Sequence, residues 1–113
     1  MSHQGGYTGR VLRVDLSTGG IEEETLREDC LRKWIGGSSL GAKIIYDELD
    51  PSVGALDPDN VLVFMNGPLT GTMCPSCGRY CVCTRSPLTG IWAEAHSAGY
   101  WGQLRSTGEL FIK

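Results

Sequence analysis

The hydrophobic pattern at the start of the chain alternates with a period of two. Leu12, Val14 and Leu16 fall on one face of the segment. Arg13 and Asp15 fall on the other face. Because successive side chains of a strand point to opposite faces, this alternation predicts a half-buried strand.

The next residues predict the return strand of a hairpin and then two helices. Residues 17–20, Ser-Thr-Gly-Gly, have the composition of a turn, and the more charged segment 21–25 can pair back as a second strand. Apolar residues then recur at helical spacing over 26–35 and again over 40–49. We therefore expect an N-terminal hairpin followed by two helices.

Glycine, serine and proline residues mark the ends of these helices. Gly36-Gly37 follows the first apolar stripe and is expected to end that helix, because glycine adopts a left-handed conformation easily. Ser38 or Ser39 can cap the second helix. Asp50-Pro51 is expected to stop it, and a polar loop is expected over 51–60.

The second half of the chain predicts short strands separated by turns. The unbroken apolar run 61–65 is typical of a strand covered on both faces, so we expect it near the centre of a sheet. The tetrapeptide Pro-Leu-Thr-Gly occurs at 68–71 and again at 87–90, and both copies are typical of turns. Short strands are expected over 79–84 and 91–96.

The end of the chain predicts a short helix and a further strand. Ser97 can cap a helix that carries Tyr100, Trp101 and Leu104, and residues 109–113 begin another strand. No turn or polar tail follows that strand, so we expect an incomplete domain. Mostly antiparallel sheets with a few short helices set apart from them indicate an α+β fold.

Composition and charge exclude several classes of function. The chain has 113 residues and a formal net charge of −3 without any run of lysine or arginine, so nucleic acid is not expected as a partner. No stretch reaches the roughly 18–20 apolar residues that cross a bilayer, and the first residues lack the pattern of a signal peptide. Five cysteines are an odd number, which favours a reducing compartment. We therefore expect a cytoplasmic protein that does not bind membranes.

Four of the cysteines lie close together, as Cys74, Cys77, Cys81 and Cys83. Four thiolates can hold tetrahedral zinc or an iron–sulfur cluster. The spacing departs from a standard zinc knuckle, because Cys81 and Cys83 share one face of a strand whereas the other two lie on the preceding loop. Free cysteine is also among the most buried residue types, so packed thiols are the alternative.

Two single residues are candidates for binding an anion. Arg79, between Gly78 and Tyr80, has fixed N–H donors that could fork onto a phosphate or a heteroaromatic ring, and a solvated arginine is the alternative. His96 stands just before the predicted Ser97 cap, where an anion could meet backbone N–H groups, and an ordinary strand-end histidine is the alternative. No nucleophilic triad can be assembled, so no catalytic residue is assigned.

Six motifs occur in a fixed order along the chain, and their combination is more specific than any one of them. They are Gly9–Gly19 (Gly-Arg-Val-Leu-Arg-Val-Asp-Leu-Ser-Thr-Gly), Trp34–Gly37 (Trp-Ile-Gly-Gly), Gly67–Thr72 (Gly-Pro-Leu-Thr-Gly-Thr), Gly78–Tyr80 (Gly-Arg-Tyr), Ser86–Gly90 (Ser-Pro-Leu-Thr-Gly) and Ser97–Tyr100 (Ser-Ala-Gly-Tyr). From about Gly6 to the last residue, this order resembles the N-terminal domain of the tungsten-containing aldehyde ferredoxin oxidoreductase family.

The resemblance implies an enzyme whose tungsten is held by the dithiolenes of two pterin cofactors, a tungstopterin, with a [4Fe-4S] cluster that passes electrons to ferredoxin. The family arginine that matches Arg79 lies between the cluster and a pterin. The position matching His96 gives a backbone carbonyl to a magnesium ion (Mg) that bridges the two cofactor phosphates. The position matching Ala98 meets the cofactor. The resemblance therefore makes all three residues cofactor-binding.

The sequence departs from the family pattern at two of these positions. Family members commonly have asparagine where His96 stands and glycine where Ala98 stands. A main-chain ligand tolerates a changed side chain, whereas the added methyl group of Ala98 could crowd a pterin. The cluster cysteines of the family lie far downstream, so the resemblance disfavours a metal site at Cys74, Cys77 and Cys81.

We therefore interpret residues 1–8 as a flexible leader and residues 9–113 as a truncated tungstopterin-binding domain. The whole enzyme is expected to oxidise aldehydes to acids. This chain alone is expected to be inactive, because the ligands of the [4Fe-4S] cluster and the aldehyde pocket lie outside it. The expected partners are the remainder of the enzyme, ferredoxin and an aldehyde-type small molecule. The alternative is a non-catalytic truncated module or small subunit, with its cysteines either binding zinc or simply packed.

Overall fold

Two helices pack on one face of a six-stranded sheet. The structure, a computed structural model, describes residues 6–99 and the backbone of residues 109–112. Neither helix in this described part is long and apolar enough to cross a bilayer. The strands are β1 (Arg10–Val14), β2 (Ile21–Thr25), β3 (Leu62–Asn66), β4 (Arg79–Arg85), β5 (Trp92–Ala98) and β6 (Glu109–Ile112), and the helices are α1 (Glu28–Trp34) and α2 (Gly37–Glu48).

The strand order across the sheet is β2-β1-β6-β3-β4-β5. β1 and β6 run parallel, and all the other neighbouring pairs are antiparallel. The predicted α+β fold, with mostly antiparallel strands and a few short helices, is therefore confirmed. β3 has β6 on one side and β4 on the other, so the central position expected for the apolar run is also confirmed.

The core lies between the sheet and the helices. Val63 and Met65 of β3 stand directly opposite Cys83 and Cys81 of β4, so these four side chains share the face that α2 covers. A Cβ atom at Gly41 of α2 would lie 3.0 Å from the Cys83 sulfur, so the glycine allows the close approach of helix and sheet. The buried hydrophobic side chains are Val11, Leu31, Leu40, Ile44, Ile45, Val61, Val63, Met65, Cys81 and Cys83.

The face of β1 that packs against the core is the opposite of the expected one. Val11 is 1% exposed, whereas Leu16 lies beyond the strand and is 71% exposed. Arg13 shares the core face with Val11, and its guanidinium contacts Glu48 of α2 at 2.6 Å. Side-chain hydrogen bonds to Glu48 and then to Glu24 raise the pKa of Arg13. The arginine is accommodated on this face because two carboxylates balance its charge.

The junction between the helices is arranged differently from the prediction. α1 ends at Trp34, two residues before the glycine pair, and Ile35 itself takes a positive φ of 66°. Gly36, with φ 150°, is the residue before α2, and Gly37 is the first residue of that helix. The two glycines therefore begin the second helix, and their assignment as the end of the first helix was wrong.

The expected serine caps of α2 are also absent. Ser38 and Ser39 lie inside the first turn of the helix, and no side chain caps its start. A Cβ atom at Gly36 would lie 2.8 Å from the carbonyl oxygen of Asn66, at the end of β3. The N-cap position holds glycine because the backbone passes close to another strand there, and this long-range contact overrides the local preference for serine.

A further correction concerns Ser97. β5 continues through this residue to Ala98, and Ser97 stands opposite Tyr80 of β4. Ser97 is therefore a strand residue and not a helix cap, and His96 lies inside the same strand. Pairing with β4 decides the local structure here. The helix predicted around 100–104 lies outside the described residues.

The predicted leader is described only in part. Residues 1–5 lie outside the described residues. Tyr7 is half-buried, packs against the core and donates its hydroxyl to the carbonyl oxygen of Leu31 at 3.5 Å.

Candidate cofactor-binding site

Three residues named from the sequence meet at one end of the β4–β5 pair. Arg79 stands directly opposite Ala98, and Cys81 stands directly opposite His96. Opposed residues of a ladder share a face of the sheet, as do alternate residues of one strand. The side chains of Arg79, His96 and Ala98 therefore project from the same face, which is the face that also carries the helices.

The backbone hydrogen bonds of the ladder fix where the main-chain groups of β5 point. The N–H of Gly99 donates to the carbonyl oxygen of Gly78 at 3.2 Å. Hydrogen-bonded and non-hydrogen-bonded pairs alternate along an antiparallel ladder, so the pairs that contain His96 and Ala98 are of the second kind. Their carbonyl oxygens point away from β4. β5 is the last strand of the described sheet, so these oxygens face its open edge.

Arg79 differs from the other described arginines in its side-chain contacts. The residue is exposed, and within residues 6–99 its guanidinium has neither a hydrogen bond nor an ion pair. The remaining described arginines each have a protein partner: Arg10 has Glu23, Arg13 has Glu24 and Glu48, Arg27 has Asp29, Arg32 has Glu28, and Arg85 has the carbonyl oxygens of Pro51, Val53 and Gly90. The donors of Arg79 are thus available to a ligand.

The backbone of Arg79 is held in place although its side chain is not. The hydroxyl of Thr70 donates to the carbonyl oxygen of Arg79 at 2.9 Å, and Thr70 is 8% exposed. The N–H of Gly71 donates to the carbonyl oxygen of Cys77 at 2.9 Å. The first Pro-Leu-Thr-Gly turn therefore fixes the start of β4.

The imidazole of His96 is already engaged by a neighbour. Its Nε2 atom lies 3.2 Å from Oε1 of Glu94, two residues earlier on the same face of β5. This contact uses the side chain and leaves the outward carbonyl of His96 untouched. The arrangement agrees with a main-chain role for this position better than with a side-chain role.

The four clustered cysteines separate into two pairs. Cys81 and Cys83 are buried in β4 with their sulfur atoms 3.9 Å apart. The hydrogen bond that Cys83 donates to Cys81, together with burial, raises the pKa of Cys83. Cys74 is exposed and Cys77 half-buried on the preceding loop. In the described part of the chain, no three Cys, His, Asp or Glu side chains gather as metal ligands. The four-cysteine metal site considered from the sequence is therefore wrong, because strand and loop hold the pairs apart.

The profile described as "Aldehyde ferredoxin oxidoreductase, N-terminal domain" matches residues 11–111. The chain belongs to this family. The resemblance drawn from the six motifs is thereby confirmed.

Curated relatives in the aldehyde ferredoxin oxidoreductase family are much longer than this chain. The tungsten-containing aldehyde ferredoxin oxidoreductase of Pyrococcus horikoshii is 50% identical over 97 residues, which are 86% of this chain and 16% of the relative. The enzyme of the same name from Pyrococcus furiosus is 47% identical over the same shares. The chain therefore spans about 16% of the length of these relatives and corresponds to part of a larger enzyme.

A solved structure of related sequence has the same fold. The active site complex BamBC of benzoyl coenzyme A reductase, solved with 1,5 dienoyl-CoA, superimposes with a TM-score of 0.91 at 33% identity. The match covers 96% of this chain and 17% of that one. The proteins that are similar to this chain therefore have names that refer to different substrates.

Sequence reasoning missed Thr70 as a residue of the site. Its hydroxyl acts on Arg79, nine positions later, so no local pattern could reveal the contact. The repeated tetrapeptide does not by itself indicate which threonine belongs to the site. Thr70 in the first copy is buried, whereas Thr89 in the second copy is exposed. The structure adds Thr70 to the site as a positioning residue for Arg79.

Proposed function

We propose that this chain is the cofactor-contacting N-terminal part of an enzyme that oxidises aldehydes to acids. In this proposal the enzyme holds a bis-pterin tungsten cofactor and passes electrons through a [4Fe-4S] cluster to ferredoxin. The substrate class is suggested by four relatives from Pyrococcus and Thermococcus that share the name tungsten-containing aldehyde ferredoxin oxidoreductase. The cluster ligands and the aldehyde pocket would be supplied by the remainder of the enzyme.

The observation that carries this proposal is the unpartnered guanidinium of Arg79. A guanidinium presents several N–H donors in a rigid plane and binds phosphate and carboxylate groups in bidentate fashion. Arg79 has its backbone fixed by Thr70 and its donors unused within the described residues. A fixed backbone with an unoccupied cationic head suits an anionic ligand such as a pterin phosphate.

The open edge of β5 fits a magnesium ion in the same proposal. Mg²⁺ prefers hard oxygen ligands and commonly combines a few protein oxygens with phosphate oxygens. The carbonyl oxygen of His96 points away from β4 at this edge and could serve as one such ligand. The side chain of His96 is occupied by Glu94, so a histidine is compatible with a position that acts through its main chain.

Ala98 is the third residue assigned to the cofactor. It stands opposite Arg79 and is exposed, so its methyl group adds to the surface that a bound pterin would meet. When bound, the cofactor supplies the redox chemistry of the enzyme. The roles of this chain would be to bind the cofactor through Arg79, to orient it at the edge of β5 and to help exclude water around it.

The location and the partners of the enzyme belong to the same proposal. None of the described cysteines forms a disulfide in the structure, which is compatible with the reducing cytoplasm. Ferredoxin would accept the electrons, and the chain alone would be inactive. The separation of the two cysteine pairs disfavours only the zinc-binding form of the non-catalytic alternative.

The test is the cofactor content of the protein that carries this chain. Replacing Arg79 by alanine removes a charge-assisted contact, and we expect the ratio of tungsten and pterin to protein after dialysis to fall about tenfold or more. Arg10→Ala is the matched control, because Arg10 is an exposed strand arginine whose partner is Glu23. An Arg79→Ala protein with the cofactor content of the control would contradict the proposal.

A further inference from the structure

The loop before β4 carries two thiols that the proposed function does not use. Cys74 is exposed and Cys77 is half-buried. Pro75 and Ser76 form a turn between them, and Ser76 has a positive φ of 61°. Proline at the second position and a positive φ at the third are features of a type II β-turn. The two cysteines are therefore the first and last residues of one tight turn.

This turn places the two cysteines at a separation that suits a disulfide. A β-turn brings its first and fourth Cα atoms within about 7 Å, and disulfides join Cα atoms about 4.4–6.8 Å apart. The thiol of Cys77 lies inside the same turn, where it donates to the carbonyl oxygen of Pro75 at 3.6 Å. A sulfur–sulfur bond could therefore form with little movement of the backbone.

The ends of the turn are held by the surrounding loop. The N–H of Cys74 donates to the hydroxyl oxygen of Thr72 at 3.3 Å. The carbonyl oxygen of Cys77 accepts the N–H of Gly71 at 2.9 Å. These two contacts involve backbone atoms and a hydroxyl group only, so they are compatible with both the dithiol and the disulfide form of the pair. The disulfide form would lose only the hydrogen bond from the Cys77 thiol to Pro75.

The second cysteine pair provides an internal contrast. Cys81 is 2% exposed and Cys83 is 0% exposed, and both lie in the middle of β4 beneath α2. A disulfide reagent cannot reach thiols in this position without opening the core. Cys74, in contrast, is open to such a reagent, and its neighbour Cys77 is within reach to complete an exchange.

We propose that Cys74 and Cys77 are a reversible dithiol–disulfide pair that reduces disulfides, either of small thiol compounds or of another protein. The thiolate of Cys74 attacks one sulfur atom of the disulfide, forms a mixed disulfide and releases the first thiol. Cys77 then loses its proton and attacks the sulfur atom of Cys74, which releases the second thiol. Two electrons and two protons pass from the pair to the disulfide. A cellular dithiol reductant restores the pair by the reverse exchange.

The order of attack follows from accessibility. Cys74 is the more exposed of the two, whereas the contact with Cys74 keeps Cys77 in its protonated form over a wider range of pH. Disulfides that form in reducing compartments are typically transient and redox-active, in contrast to the permanent disulfides of secreted proteins. The proposal concerns these thiols alone and does not depend on the identity of the cofactor.

The experiment uses the protein that carries this chain, equilibrated anaerobically in buffers of oxidised and reduced dithiothreitol. Free thiols are blocked with an alkylating reagent and the protein is denatured, alkylated again and digested with trypsin. Cleavage after Lys43, Arg79 and Arg85 separates a peptide 44–79 with the exposed pair from a peptide 80–85 with the buried pair. In oxidising buffer we expect peptide 44–79 to carry a disulfide, seen as a mass lower by two hydrogen atoms than that of its dithiol form. Reduction should reverse this change, and peptide 80–85 should show neither change.

Cys74→Ser provides the matched variant, because the residue is exposed and its loss leaves the core unchanged. In this variant Cys77 should remain free or carry only a reagent adduct, so that no intramolecular bond is detected. Three results would each overturn the proposal: full alkylation of both thiols in every buffer, only intermolecular disulfides, or equal oxidation of both peptides. Retention of the cofactor is not required for any of these measurements, so the proposal and the cofactor assignment can fail separately.

Discussion

The two ends of β4 carry an arginine each, and the two arginines are used in different ways. The guanidinium of Arg85 donates to three backbone carbonyl oxygens at 2.6 to 2.8 Å. These hydrogen bonds connect β4 to the loop after α2 and to the turn before β5. Arg79 has its carbonyl oxygen fixed by Thr70, and its guanidinium has no such partner within the described residues. The comparison separates an arginine whose side chain holds the fold from one whose side chain the described residues leave unused.

The two copies of Pro-Leu-Thr-Gly at these ends differ in the same sense. Thr70 of the first copy is buried and its hydroxyl reaches a distant carbonyl group. Thr89 of the second copy is exposed, and its N–H donates to the hydroxyl oxygen of Ser86 at 3.3 Å. The second turn is therefore stabilised by local contacts, whereas the first turn is part of the site. Identical tetrapeptides acquire different roles because their surroundings differ.

The largest change in local stability is expected for Arg85→Ala. Hydrogen bonds with a charged partner contribute about 1.5–3 kcal/mol each, but Arg85 is only half-buried and water can replace part of this contribution. We expect a loss of about 2 kcal/mol, which corresponds to a roughly 30-fold increase in local opening. Hydrogen exchange of the amides in 86–92, measured by mass spectrometry in the protein that carries this chain, provides the measurement. Unchanged exchange would show that the three contacts are dispensable.

A smaller effect on local stability is expected for Thr70→Val. The substitution keeps the shape of the side chain but removes the donor for the carbonyl oxygen of Arg79. We expect a loss of about 1 kcal/mol, or roughly fivefold faster exchange of the amides in 71–80. The same substitution in the second turn, Thr89→Val, is the matched control and should change exchange by less than about twofold, because that side chain is exposed. Equal effects at both threonines would contradict the distinction between the two turns.

The central part of the fold could be predicted from the sequence because its signals are local. The apolar run of β3, the two turns and the strands on either side follow from periodicity and turn composition. The errors occurred where a partner distant in sequence decides the structure. Val11 was not expected to be the core residue of β1, because alternation defines two faces but not which face meets a helix. Ser97 was assigned to a cap because its pairing with β4 has no local signal.

The candidate site was predictable to a similar extent. Arg79, His96 and Ala98 were named from a resemblance between motifs, and single-residue chemistry alone left Arg79 and His96 undecided. Their common face depends on the register between β4 and β5, which the sequence does not specify. The same applies to the direction of the His96 carbonyl oxygen, since it depends on which pairs of the ladder are hydrogen-bonded.

The smallest effect on stability is expected for Arg79→Ala, although this substitution should have the largest effect on cofactor content. Its exposed guanidinium has no partner within the described residues, so its removal breaks no contact there. Surface substitutions of this kind change stability by about 0.5 kcal/mol or less. Exchange of the β4 and β5 amides should therefore stay within about twofold of the unsubstituted protein when both are produced without tungstate. A 30-fold increase, like that expected for Arg85→Ala, would mean that Arg79 supports the fold, and any loss of cofactor would then be a secondary effect of local unfolding.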